Sequence, residues 1–220
     1  METLKNIEVA KLISNAKIIF WDFDGVIKES VNIKTHAFMQ LFEKYGEEVV
    51  KKVKNHHENN GGMSRFLKFP LYLKWSGIKS TNEVVQKLSK EFNEITMHNV
   101  INSNWVPGVE EYIRSNSNKQ TFILVSATPQ IELDYIVNNL NLKKCFDQIF
   151  GSPFLKSEVI KNVLNKYNIN SNLTLMIGDA LLDYESALVN KVPFLFRLHE
   201  TNSMILNHYN GYIIKDFKEI

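Results

Sequence analysis

Asp22 and Asp24 stand one residue apart at the end of the run Lys17-Ile18-Ile19-Phe20-Trp21, and Gly25 follows them. An unbroken apolar run of this kind predicts a strand buried on both faces. Residues i and i+2 of a strand share a face, so both acids are expected to project from its carboxyl end. In open α/β sheets that end is where ligands sit. Two carboxylates held so close repel unless a cation joins them, and this points to a metal site. Taken alone, Asp-x-Asp-Gly reads as readily as a polar turn.

Three further clusters follow predicted strands. Ser126, Ala127, Thr128 and Pro129 come after Thr121–Val125. A helix opening near Pro129 would present free backbone N–H groups there, which suit a phosphate oxygen. Lys156 comes after Gln148–Phe150, near the next helix start, and Gly178, Asp179 and Asp183 come after Leu173–Ile177. Singly, each has a structural explanation: Ser126 as an N-cap, Lys156 as a solvated lysine, the two acids as partners of a helix dipole. Together they converge in space if the sheet is parallel, and packing alone does not require that.

The elements that must position these residues are legible. Besides the strands already named, Val192–Phe196 reads as a fourth clear one, with Gln148–Phe150 and Tyr212–Ile214 weaker. Helical patterns at Gln130–Leu140, Ser157–Tyr167 and Leu181–Asn190 alternate with them. Such alternation predicts an α/β, Rossmann-like parallel sheet with helices on both faces. From Val31 to Asn104 the alternation stops and apolar residues recur at helical spacing, as in Phe38, Leu41, Phe42 and Tyr45. The predicted organisation is a core of residues 1–30 and 105–220 carrying an all-helical insertion of residues 31–104.

Composition narrows the class. The chain has 220 residues, 44% hydrophobic and 23% charged, which is ordinary for one globular domain with an insertion. A net charge of +2 leaves no electrostatic footprint for nucleic acid or an anionic membrane. Met1–Ala16 mixes charged and apolar residues at helical spacing, so neither a signal peptide nor a membrane span is expected. The single cysteine, Cys145, excludes an internal disulfide framework, fits a cytoplasmic setting and is expected to be a buried structural thiol.

The set Asp22-x-Asp24-Gly25-Val26, Ser126, Lys156 and Gly178-Asp179-x-x-x-Asp183 resembles the four motifs of the haloacid dehalogenase superfamily. Within it, the likeness is to the branch of phosphoglycolate phosphatases and β-phosphoglucomutases, whose helical cap lies between the first two motifs. The resemblance runs in order along nearly the whole chain. Glu29-Ser30 resembles the acid-plus-hydroxyl pair that commonly follows the first motif, whereas Lys28 stands where small or apolar residues are frequent. Ser157 replaces a frequent proline after the lysine.

The resemblance implies an enzyme that hydrolyses a small phosphorylated metabolite through an aspartyl-phosphate on Asp22, with Asp24 as general acid and base. It implies that Ser126 and Lys156 hold the phosphoryl oxygens, with Gly25, Ala127 and Thr128 nearby. Mg²⁺ is the implied cofactor, held by Asp22, Asp179 and the Asp24 carbonyl, with Asp183 ordering a bound water or Lys156. An oxygen-rich set without histidine favours that ion. In the insertion, Gly62 and Arg65 resemble a substrate-facing loop, and Arg65 reads either as an anion receptor or as a surface salt bridge. His56 and His57 are adjacent, so on a helix they point about 100° apart and are not expected to share a metal. A sugar phosphate phosphomutase is the alternative, and a non-catalytic binding module of this fold a remoter one. Similar proteins suggest a phosphorylated sugar, amino-alcohol or sugar-nucleotide derivative from surface-polysaccharide synthesis as substrate. A monomer is expected.

Overall fold

Four consecutive apolar residues, Ile18–Trp21, form strand β1, which is buried along its whole length. In the computed structural model, which describes residues 2–218 and 220, it lies at the centre of a six-stranded sheet. Met1, where the first helical pattern was expected to begin, lies outside the described residues. The other strands are β2 (Thr121–Pro129), β3 (Gln148–Ser152), β4 (Thr174–Gly178), β5 (Phe194–Arg197) and β6 (Tyr212–Ile214). Their order is β3-β2-β1-β4-β5-β6, with every neighbouring pair parallel. Ile18 is level with Thr121 on one side and Thr174 on the other, so β1, β2 and β4 end at one edge.

Alternate side chains of each strand go to opposite layers, as the pleat requires. Ile19, Trp21, Phe122, Leu124 and Leu175 pack with α1 (Glu2–Asn15), α6 (Val109–Asn116) and α7 (Gln130–Asn139). Ile18, Phe20, Ile123, Val125 and Met176 pack with α8 (Lys156–Tyr167) and α9 (Leu181–Val189). Cys145 is half-buried against the first of these layers, not fully enclosed as expected. No helix among the described residues is long and apolar enough to cross a membrane.

Between β1 and α6 lie α2 (Val31–Phe42), α3 (Glu47–Asn59), α4 (Arg65–Trp75) and α5 (Asn82–Asn102). They bury an apolar cluster of their own, centred on Phe38, Phe42, Phe69, Tyr72 and Phe92. The two chain crossings into this layer are tied together. Lys28 pairs antiparallel with Trp105, and Glu29 N–H donates to the Asn104 carbonyl at 2.9 Å. Lys28, conspicuous in the sequence, is buried with its ammonium 4.4 Å from the centre of the Trp105 ring.

Candidate active site

The two leading acids do not stand on β1 itself. The strand ends at Trp21, although Asp22 N–H still donates to the Ile177 carbonyl at 3.0 Å. Beyond it the Phe23 carbonyl accepts N–H bonds from Val26, Ile27 and Lys28, and the chain turns sharply. Gly25 occupies the left-handed region, at φ +73°. A Cβ there would stand 2.3 Å from Asp179 Oδ2, so only glycine lets the turn close against that carboxylate.

Asp22, Asp179 and Asp183 are buried, and each offers an oxygen within 4.8 Å of the others. Burial pushes the Asp22 carboxyl above its usual range and the neighbouring Asp183 and Asp24 reinforce this, while Lys156 opposes it. Asp179 and Asp183 are also raised, again chiefly by burial. Lys156, the first residue of α8, binds Asp22 at 2.7 Å and Asp183 at 2.5 Å. Burial alone would lower its pKa, but the two carboxylates outweigh that and raise it. One ammonium thus faces three buried carboxylates. Such a surplus, with oxygen donors converging from just beyond β1 and β4 and from α9, fits a hard divalent cation such as Mg²⁺. Asp183 also accepts the Ala180 N–H at 3.1 Å, which fixes it at the start of α9.

Asp24 is turned away from that cluster. Ser30 Oγ donates to it at 2.6 Å and Thr128 Oγ1 at 3.3 Å, and Lys34 of α2 forms an ion pair with it. Burial works to raise its pKa, yet Lys34 and Ser30 win and hold the carboxyl below its usual value. Ser126 is buried just behind, its Oγ accepting the Thr128 N–H at 3.2 Å. Here β2 runs on to Pro129 with a register shift after Val125, where a strand end was expected.

A cavity of about 310 Å³ lies between the sheet edge and the inserted helices. Asp22, Asp24, Ala127, Thr128 and Asp179 line it from below, and Lys34, Phe38, His57, Gly62, Arg65 and Lys68 from above. Gly25, Ser126, Lys156 and Asp183 stand behind this wall. Gly61 and Gly62 sit against Ala180 and Leu182, where a Cβ on Gly61 would approach Ala180 Cβ to 3.0 Å. Arg65 is only 5% exposed, and its guanidinium holds both oxygens of Glu132 on α7, at 2.7 and 3.2 Å. It is therefore a buried tie between the inserted layer and the sheet, neither a surface pair nor a free anion receptor as expected.

Sequence reasoning missed four of the wall's residues. Lys34 could have been noticed as a lysine close to a helix N-terminus, against the dipole. His57 and Lys68 are brought together from α3 and α4, and no local pattern announces that. His199 follows β5 at the same strand edge, so the rule used for the other clusters would have found it. Its Nε2 donates to Asp179 Oδ2 at 2.9 Å while Thr201 Oγ1 donates to its Nδ1 at 3.1 Å, so the site is not free of histidine.

Carboxylates and a lysine gathered at the carboxyl edge of a parallel sheet, under a helical layer, define a class of α/β hydrolytic proteins. Residues 18–196 match the sequence signature of the haloacid dehalogenase-like hydrolases, and the chain belongs to that family. No curated protein matches it. A solved structure from Haemophilus somnus, described as a predicted phosphoglycolate phosphatase, superposes with a TM-score of 0.72 at 16% identity, covering 92% of this chain and 95% of that one. A β-phosphoglucomutase from Clostridium difficile gives 0.70 at 19% identity, covering 93% of each chain. A predicted phosphatase from Clostridium acetobutylicum gives 0.70 at 19%, covering 93% of this chain and 95% of that one. These likenesses establish the fold.

Proposed function

We propose that the protein is a Mg²⁺-dependent phosphatase acting on a small phosphate monoester, with residues 31–104 as a cap over a core of residues 1–30 and 105–220. The observation that carries this is the buried cluster of Asp22, Asp179 and Asp183 tied to Lys156 at the floor of a cavity covered by the inserted helices. Mg²⁺, when bound by Asp22, Asp179 and the Asp24 carbonyl, would neutralise phosphoryl and carboxylate charge. A carboxylate oxygen of Asp22 would attack phosphorus, forming an O–P bond as the P–O bond to the ester's alcohol oxygen breaks. Asp24 would give that oxygen a proton, then take one from the water that cleaves the aspartyl-phosphate. In the geometry seen here Asp24 is held as a carboxylate by Lys34, the form the second step needs. A phosphoryl group drawing Lys34 to itself would remove what holds that carboxyl ionised, so that Asp24 could take a proton from solvent and carry it into the first step. Ser126 and Lys156 would steady the phosphoryl oxygens from behind.

A phosphomutase is the second reading, favoured by the Arg65–Glu132 tie that seals the layers together. Hydrolysis ranks first because the Asp24 side chain keeps 18% of its surface exposed, so water reaches it. A phosphorylated sugar, amino-alcohol or sugar-nucleotide derivative is a substrate class of suitable size, and surface-polysaccharide synthesis in the cytoplasm a setting that uses such esters. The test is phosphate release and sugar phosphate isomerisation, measured side by side on a panel of monoesters. Release should vanish in Asp22→Asn and in excess chelator. Undiminished release in either would refute the mechanism.

A further inference from the structure

Lys68 of α4 is 1% exposed and borders the cavity. Its ammonium donates to His57 Nδ1 at 2.7 Å and lies 5.5 Å from the centre of the Phe38 ring. Among the described residues no carboxylate stands within ion-pair distance of it. Lysine is almost never fully buried unless paired, because a desolvated charge is costly. His57 gives no countercharge: burial and the adjacent Lys68 hold its pKa well below normal, so it is a neutral acceptor. Lys34, the other cation nearby, pairs with Asp24 and Thr128 and stands on the side of the reacting phosphate. Burial, reinforced by Lys34 and only partly opposed by the more distant Asp24 and Asp179, draws Lys68 itself down to about 7. A packing role alone is a poor account of this residue, since an apolar side chain would fill the same space without the charge.

We propose that Lys68, backed by His57, receives a second anionic group of the substrate, a carboxylate or a second phosphate, while the acid cluster takes the reacting phosphate. Lys68 and Asp22 border one cavity, so a single small molecule can touch both. Phe38 and Phe92 wall the space on the cap side and suit a short carbon skeleton between the two charges. The receptor narrows the substrate classes proposed above to esters with a second negative charge, such as a sugar bisphosphate, an acidic-sugar phosphate or a sugar nucleotide, and makes an otherwise neutral sugar phosphate or an amino-alcohol phosphate a poor substrate. This rests on the phosphatase reading for its kinetic assay only.

The test uses two matched pairs: 3-phosphoglycerate against glycerol 3-phosphate, and fructose 1,6-bisphosphate against fructose 1-phosphate. Wild type should prefer the doubly anionic member of at least one pair by tenfold or more in kcat/KM, and which pair responds tells carboxylate from phosphate. Lys68→Met should raise KM for that member roughly ten- to a hundredfold, the effect of one hydrogen bond to a charged group. The neutral partner's KM should move less than about twofold, and kcat should be kept. Lys68→Arg, which keeps the charge, should retain part of the preference and serves if the methionine variant does not fold. Calorimetric binding of the same esters to Asp22→Asn with Mg²⁺ separates the two readings. Preferential binding without turnover in wild type removes the phosphatase and leaves the receptor. Turnover with no preference in either pair, or a preference unchanged in Lys68→Met, overturns the receptor and leaves the phosphatase.

Discussion

Arg65 and Glu132 make a tie whose strength can be worked from its surroundings. The guanidinium forms two bonds to the carboxylate and one to the Ser89 carbonyl at 3.3 Å, and it lies 4.4 Å from the centre of the Phe92 ring. The side chains are 5% and 16% exposed, so water screens the pair little. Glu132→Gln keeps the shape and leaves the guanidinium buried without a countercharge. Stranding one member of a buried pair costs about 3–5 kcal/mol. The Glu132 end still touches solvent, so we place the loss near ~3 kcal/mol, or roughly 6–12 °C in Tm for a chain of this size. Arg65→Met strands the carboxylate instead, which can turn to water, and should cost about 1–2 kcal/mol. The double variant should lose about 2 kcal/mol less than the two singles together. Urea unfolding of the four proteins at pH 7.5 measures that coupling. A coupling below ~0.5 kcal/mol would mean that the tie does not hold and that Arg65 is free to meet substrate. If the tie holds, Arg65→Met should raise KM for charged and neutral esters alike, in contrast to Lys68→Met.

Two further outcomes concern charge. The Asp22, Asp179 and Asp183 carboxyls are raised in the fold, so the folded chain holds their protons more tightly than the unfolded chain. Without metal, stability should therefore fall as pH rises from about 4 through the raised values. Mg²⁺ should flatten the fall, and equal slopes of Tm against pH between 5 and 8 in chelator and in Mg²⁺ would count against a metal site. Asp24 is lowered, so its pair with Lys34 stabilises above the ordinary carboxyl value and is lost as pH falls through the lowered one. Lys34→Met should cost about 1–2 kcal/mol at pH 7 and nothing in strong acid, and a constant difference across the urea curves would disprove the ion pair.

The apolar runs announced most of the sheet because a strand buried on both faces needs an unbroken one, and Ile18–Trp21 and Thr174–Gly178 satisfy that. Edges were less legible. β2 continues past Val125 because its register with β3 shifts and then resumes at Pro129, a tertiary pairing with no local signature. The strand-end rule placed Asp22, Asp24, Ser126, Lys156, Asp179 and Asp183 at the carboxyl edge of the sheet, where the structure has them, although Asp22 and Asp24 stand in the turn just beyond β1 and not on the strand. It missed Lys34, His57 and Lys68 because these reach the cavity through packing of the inserted helices. Arg65 was misread for the same reason: its partner Glu132 is 67 residues away in the chain.

That division between what was legible and what was not follows the charge. The sheet edge contributes four carboxylates against one lysine, all fixed by their own elements. The inserted helices contribute Lys34 and Lys68, while Arg65 is neutralised by Glu132. A phosphate ester approaching the sheet edge alone would meet like charge, and a divalent cation offsets only part of it. The remaining positive charge comes from the inserted layer and is effective only when that layer sits on the edge, as Gly61 against Ala180 and Arg65 against Glu132 hold it. The contacts that cover the cavity are then the same ones that complete its electrostatics. On the proposed phosphatase reading, an ester would need that layer in place, so the contacts that seat it would set both selection of substrate and readiness for chemistry.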